Sequence, residues 1–178
     1  MNMITTPTDR RIIWIRGIIG NEGKSWFQDY VAAFYDYQRV VQLDLNMGSG
    51  DVLHALSKRP LSSVDIFLFN QPRATEVDLL NYGLLESIKD GSAMSSKYSS
   101  DVLRFKIPNI VIVFSNKPPI TTRLSQDRWS VFVIKKTGCL KDITDRLWKK
   151  QIIERPMVRT KTGRGIHSDD EELEVICF

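Results

Sequence analysis

Histidine and cysteine are scarce in this chain of 178 residues, with two of each. His54 and His167 stand alone, which leaves a histidine-based metal centre or catalytic triad little to draw on. Cys139 and Cys177 form no CxxC pair and have no histidine cluster beside them. That spacing argues against zinc and fits a reduced, intracellular setting. No apolar run approaches the roughly 20 residues of a membrane span, so no membrane partner is expected, and the N-terminus carries no secretory apolar segment. Internal repeats are missing too. Charge of one sign is in only slight excess: a net +4 permits an anionic partner without requiring one.

What is present centres on Arg11–Ser25. The apolar run Ile12–Ile15 reads as a buried strand that breaks into a loop with Gly17, Gly20 and Gly23, ending in Lys24-Ser25. Trp26, Phe27, Tyr30, Val31 and Phe34 then follow at helical spacing, with Trp26 and Phe27 read as core residues. Strand, glycine loop, Lys-Ser and helix form the arrangement of a phosphate-binding loop. Backbone N–H groups and the helix N-terminus present positive charge to phosphates. Lys24 would reach the β/γ-phosphates and the Ser25 hydroxyl a magnesium ion. The spacing departs from G-x-x-x-x-G-K-[ST], because Ile18 stands where the first glycine belongs and Gly17 comes one residue early. A tight turn with an exposed lysine is the plainer alternative.

Further strands are expected at Val40–Leu45, Val64–Phe69, Asn109–Phe114 and Ser130–Ile134. Helices are expected at Asp51–Leu56, at Glu76–Lys89 with a stop at Asp90-Gly91, and from Gly138 through Leu140, Ile143, Leu147 and Trp148. Ser92–Ser100 reads as a polar, serine-rich segment. Residues 1–10 are taken as a flexible N-terminus, 11–138 as the main domain, and 139–178 as a C-terminal helix and charged tail. Strands that do not alternate are buried on both faces, so an α/β fold with a parallel sheet between helices follows. Ligands of such sheets bind beyond the carboxyl ends of the strands. Those ends carry the Gly17–Ser25 loop, Asn70, Arg73 and Asn116.

Several stretches, in order, resemble the superfamily 3 helicase domain of the replication-initiator (Rep) proteins of circular single-stranded DNA viruses and their satellites. Gly20-Asn21-Glu22-Gly23-Lys24-Ser25 resembles that family's GNxGKS form of the Walker A motif, and Phe69-Asn70-Gln71-Pro72-Arg73 its Walker B segment, FDxPR. Asn81–Gly91 with Ser96-Lys97-Tyr98 resembles the B′ region. Pro108–Pro119 resembles motif C, and Leu124–Trp129 the LSxDRW that follows. The matches span residues 11 to 135.

The resemblance implies a P-loop NTPase of modified AAA+ type with a five-stranded parallel sheet, ATP and Mg²⁺ as cofactors, and a homo-oligomer, as a hexamer. It implies ATP-driven movement on single-stranded DNA, RNA staying open, and the host nucleus if the source is viral. By the same likeness, Gly17, Gly20, Asn21, Glu22, Gly23, Lys24 and Ser25 bind nucleotide, and Ser25 with Asn70 the metal. Asn116 is the sensor for water or the γ-phosphate, with a turn cap as the plainer reading. Arg128 is the arginine finger, with Arg123 as runner-up, and Lys97 and Tyr98 grip the strand. The nicking domain that usually precedes this module is not in this sequence, which leaves open an excised domain, a split gene product, or a helicase working with a separate nicking endonuclease. At Asn70 the family ordinarily has aspartate. Asp44 or Glu86 could compensate, but the sequence places neither; Asp65 belongs at the strand's start. Slow hydrolysis follows, and with it a second reading: an ATP-binding, weakly hydrolysing nucleic-acid scaffold. A small P-loop kinase fits less well, for want of an arginine-rich lid.

Overall fold

The computed structural model describes residues 10–95, 101–135, 137–154 and 175–176. Lys97, Tyr98 and the basic and acidic stretches of the tail lie outside them. In chain order the elements are β1 (Ile12–Arg16), α1 (Lys24–Phe34), β2 (Val40–Asp44), α2 (Ser49–Ser57), β3 (Ile66–Asn70), α3 (Tyr82–Lys89), β4 (Ser92–Ser95), β5 (Asp101–Arg104), β6 (Ile110–Ser115), β7 (Trp129–Ile134), β8 (Leu140–Asp142), α4 (Thr144–Glu154) and β9 (Val175–Ile176).

The five apolar runs become five parallel strands in the order β2-β3-β6-β1-β7. Two strands the sequence pattern did not announce extend the sheet beyond β7, with β8 antiparallel to β7 and β9 antiparallel to β8. The expected helix from Gly138 is thus a strand first, and α4 starts only at Thr144, whose N–H and hydroxyl both bond Asp142 Oδ1 (2.8 and 2.6 Å). Cys139 is disulfide-bonded, not the reduced thiol expected from its spacing. Sequence separation does not reveal which thiols a fold brings together.

Side chains alternate between the sheet's faces, so each strand feeds two cores. Ile12, Trp14, Phe67, Phe69, Val111 and Val113 join α2, α3 and the β4–β5 hairpin on one face. Ile13, Ile15, Leu68, Ile112 and Phe114 meet Val31 and Ala32 of α1 on the other. Ser92–Ser95, the described part of the expected polar segment, is a strand paired with β5. Ala93 and Leu103 point into the core and Met94 and Val102 outward, a period that the serines conceal. The predicted helix at Glu76–Lys89 also divides. A single turn at Val77–Leu79 precedes Asn81, whose side chain caps α3 by accepting from Leu84 N (2.9 Å).

Trp26 was expected in the core and is not there. It is 68% exposed, and Phe34 59%. Residues four apart share a helix face, and Trp26, Tyr30 and Phe34 stack along α1 at 5.4 and 5.8 Å while Val31 and Ala32 take the buried side.

Arg128 corrects a second expectation. It is 2% exposed, and its two terminal nitrogens donate to Asp90 Oδ1 and Oδ2 (2.6 and 2.8 Å), with Glu86 at 3.4 Å. A guanidinium held by a fork of two bonds inside its own subunit is not free to reach a neighbour's phosphate. Its place is structural: it ties the start of β7 to the end of α3.

The hydrogen bond from Arg128 holds the Asp90 carboxyl below the usual carboxylate range. A depressed carboxylate contributes stability above its unfolded pKa of about 3.9, and that contribution fades as pH falls through the folded value. Asp90→Asn should therefore lower stability at pH 7 by about 2 kcal/mol, less than for a fully buried pair because Asp90 is half exposed. In urea titrations the gap between variant and parent should close below about pH 4; a gap independent of pH would show the charge to be immaterial.

Candidate functional site

The chain leaves β1 toward β2 and leaves β6 in the opposite direction, toward β7, although β1 and β6 are neighbours. A crevice opens between carboxyl ends that diverge in this way. Here it is a cleft of about 490 Å³ lined by Asn21–Trp26, Asn70–Arg73 and Asn116.

The loop after β1 is bent by left-handed residues. Gly20, Asn21 and Gly23 have φ of 100°, 55° and 84°, and the N–H groups of Ile18 and Ile19 converge on one carboxylate oxygen, the geometry of an anion-binding concavity. Gly23 precedes α1 with no side-chain cap, and no acidic residue stands in the first turn, so the positive helix end is uncompensated from within. Long side chains fold over two of the glycines and would have to move aside for a Cβ. A Cβ on Gly17 would lie 2.0 Å from Glu22 Oε2 and 2.1 Å from Lys24 Nζ, and one on Gly20 2.0 Å from an Arg73 nitrogen.

Lys24 Nζ donates to Asn116 Oδ1 (2.8 Å) and to Glu22 Oε2 (3.2 Å). The contact joins the loop after β1 to the end of β6, 92 residues away. Asn116 is held in turn by its neighbours. Ser115 Oγ meets the buried Gln71 side chain and accepts from Lys117 N (2.9 Å), and Trp14 Nε1 donates to Lys117 O (3.0 Å).

The Glu22 carboxylate occupies the loop's own concavity, where Oε1 accepts from Ile18 N (2.6 Å) and Ile19 N (2.9 Å). Burial pushes its pKa up, but those two amides and Lys24 outweigh it and hold the carboxyl below its usual range. The sequence assigned Glu22 to a bound nucleotide; the structure puts its side chain in the seat of an anion.

Asn70 and Ser25 line the same cleft. Asn70 Nδ2 donates to Asp44 Oδ1 (3.3 Å), the paired residue at the end of β2. Asp65 is at the opposite end of β3, paired with Arg39 and Lys106, and Glu86 lies by Arg128, so neither reaches the cleft. Arg73 lines the cleft with no hydrogen bond or ion pair among the described residues. Beside the loop lies an apolar recess of about 320 Å³, formed by Ile15, Trp26, Phe27, Ile134 and Leu140. Sequence reasoning missed Trp26 here because its spacing suits either the buried or the open side of α1.

Glu22→Gln should raise affinity for pyrophosphate roughly fivefold, because about 1 kcal/mol separates a charge-assisted from a neutral hydrogen bond. Lys24→Ala should lower it about 10- to 100-fold with the fold intact. Calorimetric titration reads both, and unchanged affinity in the Glu22 variant would mean that its carboxylate does not compete for the loop.

No protein-family model matches the chain. Curated relatives do. The Para-Rep C3 of Milk vetch dwarf C3 alphasatellite is 35% identical over 135 residues, covering 71% of this chain and 42% of the relative. The master replication protein of Banana bunchy top virus is 36% identical over 131 residues, covering 71% and 41%. The Para-Rep C10 of Milk vetch dwarf C10 alphasatellite is 34% identical over 123 residues. The chain spans about two-fifths of the length of these relatives. With an α/β fold and a glycine-rich cleft at its switch point, the chain is homologous to the Para-Rep and master replication proteins of alphasatellites and nanoviruses.

Proposed function

We propose that this chain is the superfamily 3 helicase module of a Rep-like protein, a P-loop ATPase of modified AAA+ type that works as a hexamer on single-stranded DNA. One observation carries the reading: the Lys24 ammonium is held by Asn116 beside a loop whose Ile18 and Ile19 N–H groups already hold a carboxylate, at the strand ends where the sheet's connections diverge.

Each part has a role in such a site. Phosphates take the concavity after displacing Glu22, with Lys24 and Arg73 as the compensating charges. Asn116 gives its oxygen to Lys24, which leaves its amide N–H groups to meet a γ-phosphate. The apolar recess beside Trp26 suits a base, since any base has a face to stack on an aromatic ring. Arg123 is exposed on the turn Thr121–Arg123 and takes the trans role that Arg128 cannot.

The residues also fit magnesium. Asn70 turns its nitrogen to Asp44 and keeps its oxygen as an acceptor, and Ser25 adds a hydroxyl. No group of three His, Cys, Asp or Glu side chains that could hold a metal stands among the described residues. That suits an ion held jointly with substrate phosphates. Bound there, it would neutralise charge developing on the phosphates.

The weakly hydrolysing scaffold remains the second reading, favoured by the amide at Asn70. Single-turnover ATP hydrolysis with and without single-stranded DNA separates the two. Stimulation by the strand is expected. ATP binding without any response of turnover to the strand would leave the scaffold.

Strand binding should weaken with salt through counterion release, and Lys97→Ala should cut the slope of log affinity against log salt by about 0.7. Fluorescence anisotropy over a salt series measures it; equal slopes would remove Lys97 from the strand contact.

A further inference from the structure

Asn70 presents an amide where phosphate chemistry with a metal ion ordinarily uses a carboxylate. The structure places a carboxylate one strand away. Asp44 and Asn70 are the last residues of adjacent parallel strands and stand in register, a separation of roughly 5 Å between strands. Asn70 Nδ2 donates to Asp44 Oδ1 (3.3 Å), and Asp44 Oδ2 has no other partner among the described residues. Asp44 is exposed, so its side chain is open to water. It lines a cavity of about 260 Å³ with Gln28, Asp29 and Asn70, and Asn70 also lines the phosphate cleft, so the two spaces adjoin. Ser25 and Asp29, four apart on α1, share the helix face toward this corner.

We propose that Asp44, hydrogen-bonded to Asn70, supplies the negative charge that the Asn70 position lacks and steadies the magnesium ion of a bound nucleotide from its outer shell. The proposal rests on the nucleotide reading above. Asn70 contributes the near oxygen and its nitrogen fixes the Asp44 carboxylate, so amide and acid divide between two strands what one aspartate does elsewhere. At a strand spacing beyond Asn70, Asp44 acts through water. Outer-shell partners of this kind change metal affinity by about 10- to 100-fold. Asp44 is a positioning residue, and the observable it moves is magnesium dependence.

The test is calorimetric titration of the whole chain with ATP, in chelator and across a magnesium series, with thermal unfolding as a check on folding. Asp44→Asn keeps an acceptor for Asn70 and removes only the charge. It should bind ATP in chelator as the parent does, yet lose about tenfold or more of the tightening by magnesium. The exchange Asp44→Asn with Asn70→Asp should regain that tightening, because carboxylate and amide have swapped places across the same bond. If Asp44→Asn unfolds, Asp44→Ser serves in its stead. Magnesium dependence equal to the parent's in Asp44→Asn, or a loss reproduced by Asp29→Asn alone, would overturn the assignment. Failure of the parent chain to bind ATP even in chelator would instead overturn the nucleotide reading, and this inference with it.

Discussion

Three buried rings set the geometry on which the cleft depends. Trp14 of β1 stacks on Tyr82 of α3 at 6.3 Å, and Trp129 at the start of β7 meets both edge-on at 6.0 Å. Each directs its polar tip at one short segment: Trp14 Nε1 to Lys117 O, Trp129 Nε1 to Thr121 O, and Tyr82 Oη to Ile120 N. Burial pushes the Tyr82 hydroxyl up to about 12, so it stays a neutral hydrogen-bonding group at any ordinary pH. Aromatic side chains of this size bring packing and a directional contact together. The segment after β6 is thereby fixed, Asn116 with it, and through Asn116 the ammonium of Lys24.

Around this anchor, charges are sorted by what holds them. Arg128 is enclosed by Asp90 and Glu86 and serves the join between α3 and β7. Asp65 gathers Arg39 and Lys106 at the far end of the sheet. At the cleft, Glu22 sits within the loop's amides, while Arg73 lies across Gly20 with no bonded partner among the described residues. Positive charge is thus left available at one end of the sheet and compensated elsewhere. An arriving anion has the Glu22 side chain to displace from the loop's amides and from Lys24.

Much of this was legible in the residues. Short β-branched apolar runs such as Ile110–Phe114 read as strands covered on both faces, and their spacing by helices implied the parallel sheet. Asn21–Ser25 of the glycine loop and the strand-end residues Asn70, Arg73 and Asn116 line one cleft. Failures came where local pattern and tertiary context disagree. Ser92–Ser95 has a strand's alternation hidden under serine, and Leu140 is drawn into a strand by an open sheet edge. Arg128 follows a turn and looks like a surface residue, because nothing in sequence reveals that Asp90 waits 38 positions earlier. Asp44 could be named but not placed, since strand register is a property of the folded sheet.

Helix α1 has an unusual burden. It is the only helix that contributes buried residues to its face of the sheet among those described, and its N-terminus also closes the anion cradle. Occupancy of the cradle and protection of that core are therefore thermodynamically linked: whatever binds there must hold α1 against fraying. Amide hydrogens of Val31 and Ala32, and of Ile13 and Ile15 beneath them, would exchange more slowly in the bound form.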